Sequence, residues 1–175
     1  QKNGPGFRNA TRTTIAPTGT ISIIAHCSSG IEPLFAVAYT RHVLVEGGLP
    51  EIHPFFEEIA KKRGFYSEKL LEEISKEGSV QNIKGIPNNV KTLFITARDV
   101  SPEQHVKIQA TCQKYIDSGV SKTINFPKES PVDDVKKAFL LAYKNGCKGI
   151  TVYRDKSRVS QVLSTECTCT KQLIS

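Results

Sequence analysis

Val120-Ser121-Lys122-Thr123-Ile124-Asn125-Phe126 alternates apolar and polar residues until Pro127 stops it. A period of two is the mark of a half-buried strand. Ser130-Pro131-Val132-Asp133 then opens a helix, with Pro and an acidic residue in the first turn. Val135, Phe139 and Ala142 recur at steps of four and three, and Gly146 ends the helix. Gly149-Ile150-Thr151-Val152-Tyr153 supplies a second strand. Strand, helix and strand within residues 120–153 make a βαβ unit, which implies a parallel strand pair joined by a right-handed crossover. The fold class is therefore α/β.

Outward from this unit the helix signals continue upstream. Ser101-Pro102-Glu103-Gln104 combines an N-cap, Pro at the first helical position and Gln at the capping-box position, predicting a helix to about Asp117. Ser118-Gly119 is its expected C-cap. Pro54 to Arg63 reads as a helix with Phe55, Phe56, Ile59 and Ala60 on one face and Gly64 as its cap. Ser67 caps a second helix that carries Leu70, Leu71 and Ile74 and stops at Gly78. This pair, beside Gly85-Ile86-Pro87-Asn88-Asn89, reads as a surface insertion or as the cover of an active-site mouth. Residues 31–50 give no clear pattern. Near the start, loop-like residues lead into Thr13-Thr14-Ile15-Ala16, a short strand, and then the breaker Pro17-Thr18-Gly19. Thr20 to Cys27 fits a strand or a short helix. Residues 156–175 lose apolar periodicity and read as a tail.

Composition narrows the function classes. The chain has 175 residues, 38% of them hydrophobic, which suits a soluble globular domain or a large piece of one. No apolar run reaches the roughly 20 residues needed to span a bilayer. The start lacks the apolar core of a signal peptide. The sequence has no Met and begins with Gln1, so a fragment or processed product is expected. Net charge is +7, from 24 basic and 17 acidic residues. The two signs interleave (Glu57-Glu58, Lys61-Lys62-Arg63, Glu72-Glu73) instead of forming a basic stripe, which argues against a nucleic-acid surface. Five Cys with no disulfide-scaffold spacing fit a reducing, cytoplasmic compartment.

Few residues carry chemistry on pattern alone. Ala16-Pro17-Thr18-Gly19-Thr20-Ile21-Ser22 sets two Thr hydroxyls and several backbone N–H groups around one turn. That suits an anion cradle, although it also fits an ordinary tight turn. It is not a Walker A loop. His26, His42, His53 and His105 share no metal-ligand spacing, and no metal site is expected. His105 reads as surface or satisfied packing on a helix. Glu32 reads as a loop residue or a site carboxylate. Cys27, Cys112 and Cys147 read as apolar packing positions. Cys167-Thr168-Cys169 places two thiols in the tail, where thiol–disulfide exchange is one role and incidental placement another. Tyr153-Arg154-Asp155-Lys156-Ser157-Arg158 leaves a strand end of the kind that faces ligands in α/β folds.

Taken in order, several of these stretches form a recognisable set. They are Arg8-Asn9-Ala10-Thr11, Thr14 to Ser22, Ser28-Ser29-Gly30-Ile31-Glu32-Pro33, Ser101 to Val106, Val120 to Pro127 and Gly146 to Arg158. The set resembles the C-terminal part of adenosylcobalamin-dependent (class II) ribonucleotide reductase over about residues 8–158.

The resemblance implies the last portion of a ten-stranded α/β barrel, over residues 1–158, and a mobile C-terminal tail over 159–175. It implies that Pro17, Thr18, Gly19, Thr20 and Ile21 hold the phosphates of a ribonucleotide substrate, with the diphosphate favoured. The implied reaction is reduction at the ribose 2′ carbon by a thiyl radical generated with adenosylcobalamin, whose contacts cannot be placed in this sequence. The thiyl Cys, its partners and the reducing Cys pair are expected upstream, so no catalytic residue is assigned here and the segment alone is expected to be inactive. A single tyrosine in Thr151-Val152-Tyr153 and the lack of a glycyl-radical motif favour the cobalamin class. The family's tail carries a paired Cys motif with wider spacing, from which Cys167-Thr168-Cys169 departs. The partners implied are the rest of the reductase chain, a thioredoxin-type reductant and a second copy as a homodimer, with no nucleic acid and no membrane. Two other classes stay open from the residues: a non-catalytic nucleotide- or phosphate-binding α/β module, and a basic nucleic-acid-binding domain.

Overall fold

The βαβ unit is present in the computed structural model as β3 (Thr123–Phe126), α6 (Val132–Lys144) and β4 (Thr151–Arg154). β3 and β4 are neighbours in a two-stranded sheet. The Asp155 N–H, just past β4, donates to the Phe126 carbonyl at the end of β3 at 2.9 Å. The two C-terminal ends therefore lie together, and the pair is parallel, as the crossover length requires. Ile124 and Phe126 point inward and are buried. The structure describes residues 6, 8–25, 27–41, 49–155, 157 and 163–164.

The chain divides into two compact units. One gathers Gln1–Glu32, Pro102–Ile124 and Glu129–Tyr153. Here α5 (Pro102–Gln113) packs on α6. Residues Thr13 to Ile15 run beside 117–121, with a parallel bridge between Ile15 and Val120. The Ser121 N–H donates to Ile15 O at 2.8 Å, and the Ser118 N–H to Thr13 O at 3.0 Å. The expected strand at Thr13–Ala16 is thus reduced to a bridge, because Pro17 removes the next donor. Thr20 to Cys27, left open between strand and helix, forms the short helix α1 (Gly19–Ile24).

The other unit gathers Pro33–Ser101, Asn125–Lys128 and Arg154–Ser175. The unassigned stretch 31–50 contributes β1 (Ala38–Arg41) and β2 (Leu49–Ile52), an antiparallel pair with Ala38 opposite Ile52. β5 (Leu163–Ser164) pairs antiparallel with the far side of β1. The helical pair is α2 (Pro54–Lys62) and α3 (Glu68–Glu77), followed by α4 (Asn88–Leu93). The Ser67 hydroxyl caps α3 by accepting the Leu70 N–H at 3.2 Å, and Gly78 stops it in the left-handed conformation at φ 71°. These helices are more than an insertion on a surface. Phe56, Ala60, Ile74, Val80 and Val90 form a buried core with Val37 and Ala38, and Phe56 meets Phe94 edge to face at 5.2 Å.

Three expectations are corrected. The α5 helix stops at Gln113, short of Asp117, because the Gln113 side chain donates to the Ile116 and Ser118 carbonyls and closes the turn itself. Ser118-Gly119 is then no C-cap; the Gly119 carbonyl is taken by the Thr14 hydroxyl at 2.9 Å. On α6 the buried residues are Ala138 and Ala142, while Phe139 stays 46% exposed: small side chains let α5 approach closely. The described residues form a three-stranded and a two-stranded sheet and no closed barrel by themselves. Most of the tail assigned to 159–175 lies outside the described residues.

Candidate functional site

The turn between Ile15 and α1 is strained. Thr18 sits at φ 52°, ψ 26°, in the left-handed region, and among the described residues it is the one non-glycine with positive φ. A β-branched side chain there costs on the order of 1–3 kcal/mol, so the neighbouring structure must impose it. Two contacts do. The Ser29 hydroxyl donates to the Pro17 carbonyl in a short bond. Gly30, itself at φ 51°, lies so close that a Cβ on it would come within 3.2 Å of the Ala16 carbonyl and 3.7 Å of Thr18 Oγ1.

The helix start beside this turn leaves a row of free donors. The Ser22 N–H reaches back to Thr18 O at 2.9 Å, which starts the helix, and the Ser22 hydroxyl bonds Gly19 O at 2.7 Å. The N–H groups of Gly19, Thr20 and Ile21 precede the first helical bond. None of them donates to another described residue. Pro17, Gly19, Thr20 and Ile21 are exposed and Thr18 is half-buried. Three amides and two threonine hydroxyls in one short arc, with no carboxylate bonded to them, can satisfy an anion's oxygens.

Behind the turn is a cluster that pattern reading missed. The Lys122 side chain is fully buried. Its Nζ lies 2.5 Å from Glu32 Oε2, 2.7 Å from His105 Nδ1 and 2.7 Å from the Thr123 carbonyl. The three donors of an ammonium thus meet three acceptors. Burial pulls the Lys122 pKa below that of an ordinary lysine, and the Glu32 carboxylate works against that pull. The other Glu32 oxygen accepts the Thr123 N–H at 2.6 Å. Glu32 is therefore a structural carboxylate tied to the start of β3, and His105 is fully buried, with an acceptor nitrogen toward Lys122. The sequence signal was available: Lys122 stands at an inward position of the strand alternation, and a buried lysine needs partners.

Cys27 is exposed, contrary to an apolar packing role, and Cys112 and Cys147 are half-buried. Burial raises the Cys147 thiol pKa, which makes it a poor nucleophile. His26, His42, Cys167 and Cys169 lie outside the described residues. His53 caps α2 between the rings of Phe55 and Phe94. Asp155, at the end of β4, pairs with Arg98 at 3.1 Å. No group of three or more His, Cys, Asp or Glu side chains among the described residues could hold a metal ion. No described helix is long and apolar enough to cross a membrane.

Residues 2–153 match the family model of the ribonucleotide reductase barrel domain. A vitamin B12-dependent ribonucleoside-diphosphate reductase of Thermoplasma acidophilum is 51% identical over 172 residues, covering 98% of this chain and 22% of the relative. Its counterpart in Mycobacterium tuberculosis is 45% identical over 164 residues, 94% of this chain and 23% of the relative. Among solved structures, the class Id ribonucleotide reductase alpha subunit of Actinobacillus ureae superposes with a TM-score of 0.71 at 29% identity, covering 86% of this chain and 28% of that one. The chain thus spans less than a quarter of the length of these two curated relatives.

Proposed function

This chain belongs to the ribonucleotide reductase barrel-domain family, and from that premise we propose that it is the phosphate-gripping part of a vitamin B12-dependent ribonucleoside-diphosphate reductase. The whole protein converts ribonucleoside diphosphates to 2′-deoxyribonucleoside diphosphates. Pro17, Thr18, Gly19, Thr20 and Ile21 hold the substrate's phosphates through main-chain amides and the two hydroxyls. The observation that carries this reading is the strained Thr18 with three unbonded amides directly after it. Strain of this kind persists where it serves a site.

In this reading the chain binds and orients substrate. The cofactor, adenosylcobalamin, supplies the radical that initiates reduction when it is bound. None of the described residues forms a seat for it. The reacting thiols belong to other parts of the protein, and Cys27, Cys112 and Cys147 take no catalytic role. Apolar side chains left open on the first unit, such as Ile24, Tyr115, Val132 and Tyr143, fit faces that a longer barrel would cover. A ten-stranded barrel, a cytoplasmic location, a thioredoxin-type reductant acting through Cys167 and Cys169, and a homodimeric assembly complete the reading.

Gly19→Val in the full-length reductase tests it. A Cβ at Gly19 meets nothing within 4 Å, so the variant has room to fold. Its branched side chain would shield the first free amide. Substrate KM is expected to rise at least about tenfold while cobalamin affinity is kept. Unchanged substrate affinity would remove the loop from the binding site.

A further inference from the structure

We propose that Lys122 is a positioning residue for the phosphate loop: its buried ammonium anchors Glu32 and thereby clamps the Ser29–Glu32 segment that holds the Pro17–Thr18 turn in its strained shape. This rests on the reading of that turn as the phosphate site.

The chain of contacts is continuous and lies within one unit. Lys122 Nζ holds Glu32 Oε2 at 2.5 Å, and the Thr123 N–H holds Oε1 at 2.6 Å, so both carboxylate oxygens are fixed to the head of β3. The Glu32 N–H donates to the Ser29 carbonyl at 2.8 Å, which closes residues 29–32 into a tight turn. From that turn the Ser29 hydroxyl takes the Pro17 carbonyl, and the Gly30 backbone presses on Ala16 and Thr18. His105 completes the seat: Nδ1 accepts from the ammonium, which puts the ring proton on Nε2. A lysine inside a protein is costly to desolvate, and a surface lysine would contribute a similar charge without that cost. What burial adds is immobility. A three-point seat leaves the ammonium no alternative rotamer, so the carboxylate and the turn behind it stay in one position.

The effect on the reaction follows from the distance between cause and chemistry. Lys122 does not reach the exposed face of the turn. Loosening it leaves the reacting groups unchanged and lets the amides of Gly19, Thr20 and Ile21 sample orientations that no longer converge. Substrate affinity should fall, with little change in the chemical step once substrate is bound.

The experiment uses the full-length reductase that contains this segment. In Lys122→Met/Glu32→Gln both charges go at once, so no lone buried charge is left behind. Deuterium uptake across residues 15–32 is expected to accelerate, and KM for the ribonucleoside diphosphate to rise about tenfold with kcat within about twofold. If the double variant does not accumulate as folded protein, Glu32→Asp takes its place, since it keeps the charges but retracts the carboxylate; faster uptake and a raised KM are again expected. Unchanged uptake and KM in the variant measured would overturn the proposal. So would faster uptake with unchanged KM, and Gly19→Val run alongside then locates the fault. A raised KM there keeps the phosphate loop and discards the clamp; an unchanged KM discards the phosphate loop itself.

Discussion

Gln109 and Gly149 are joined by a 2.7 Å hydrogen bond from the glutamine Nε2 to the glycine carbonyl, across 40 residues of sequence. The same nitrogen also donates to the Val120 carbonyl at 3.1 Å. One fully buried amide on α5 therefore holds the chain just ahead of both strands of the βαβ unit. It does not act alone. His105, Gln109 and Gln113 are spaced by four, so they share a helix face, and all three are buried. His105 meets Lys122, Gln109 meets Val120 and Gly149, and Gln113 meets Ile116 and Ser118. The helix reads the strand ends by polar contacts along its length.

Replacing Gln109 tests how much this amide contributes. Gln109→Leu keeps the bulk but leaves two carbonyls without a donor, and should cost about 2–3 kcal/mol. Gln109→Glu should cost more near neutral pH, where a carboxylate faces two carbonyl oxygens. It should recover in part in acid, as a protonated carboxyl regains one donor. Urea unfolding of both variants at neutral and acid pH checks this. A glutamate variant insensitive to pH would contradict the contact.

Thr18→Gly should separate stability from function. Glycine relieves the left-handed strain, worth about 1–2 kcal/mol, against about 0.5–1 kcal/mol of extra chain entropy in the unfolded state. The variant is expected to be as stable as the parent or slightly more so. Its substrate KM should nevertheless rise, because one hydroxyl is gone and the turn is freer. Stabilisation together with unchanged KM would mean that the strain serves packing alone.

The same polar face explains what was legible in the sequence. The βαβ unit announced itself because Ile124 and Phe126 alternate with polar residues and Gly146 marks a helix end; both signals are local. Ser67 and Gly78 bounded α3 for the same reason. The α5 helix was also recognisable at its start, yet its buried side was not, since periodicity equates buried with apolar and here His105, Gln109 and Gln113 face inward. The turn at Pro17–Ile21 could be suspected from Pro, Gly and Thr, but the strain at Thr18 depends on Ser29 and Gly30, which only folding brings against it. The Lys122 seat was hidden for the same cause: its partners stand 17 and 90 residues away. Stretch 31–50 stayed unread because β1 is defined by a partner strand, and a strand without visible alternation has no local mark.

Asp117 gives the final prediction, on the pH dependence of the start of the chain. Its Oδ2 accepts the Arg12 N–H at 3.1 Å, and this bond, with Thr13 beside it, holds the carboxyl pKa below the ordinary aspartate value. A carboxyl depressed in the folded state contributes stability above its unfolded pKa, and that contribution disappears as pH falls through the folded one. Asp117→Asn should therefore be less stable than the parent at neutral pH, by a modest amount because the group is exposed to solvent. Its stability should fall less steeply into acid, and the two curves should converge by about pH 2. Because the leading cause is a backbone hydrogen bond and not a distant charge, moderate salt should narrow the gap only slightly. Urea unfolding of both proteins from neutral pH downward reads it directly; a gap that stays constant across the whole range would show that Asp117 holds the Arg12–Thr13 segment without its charge.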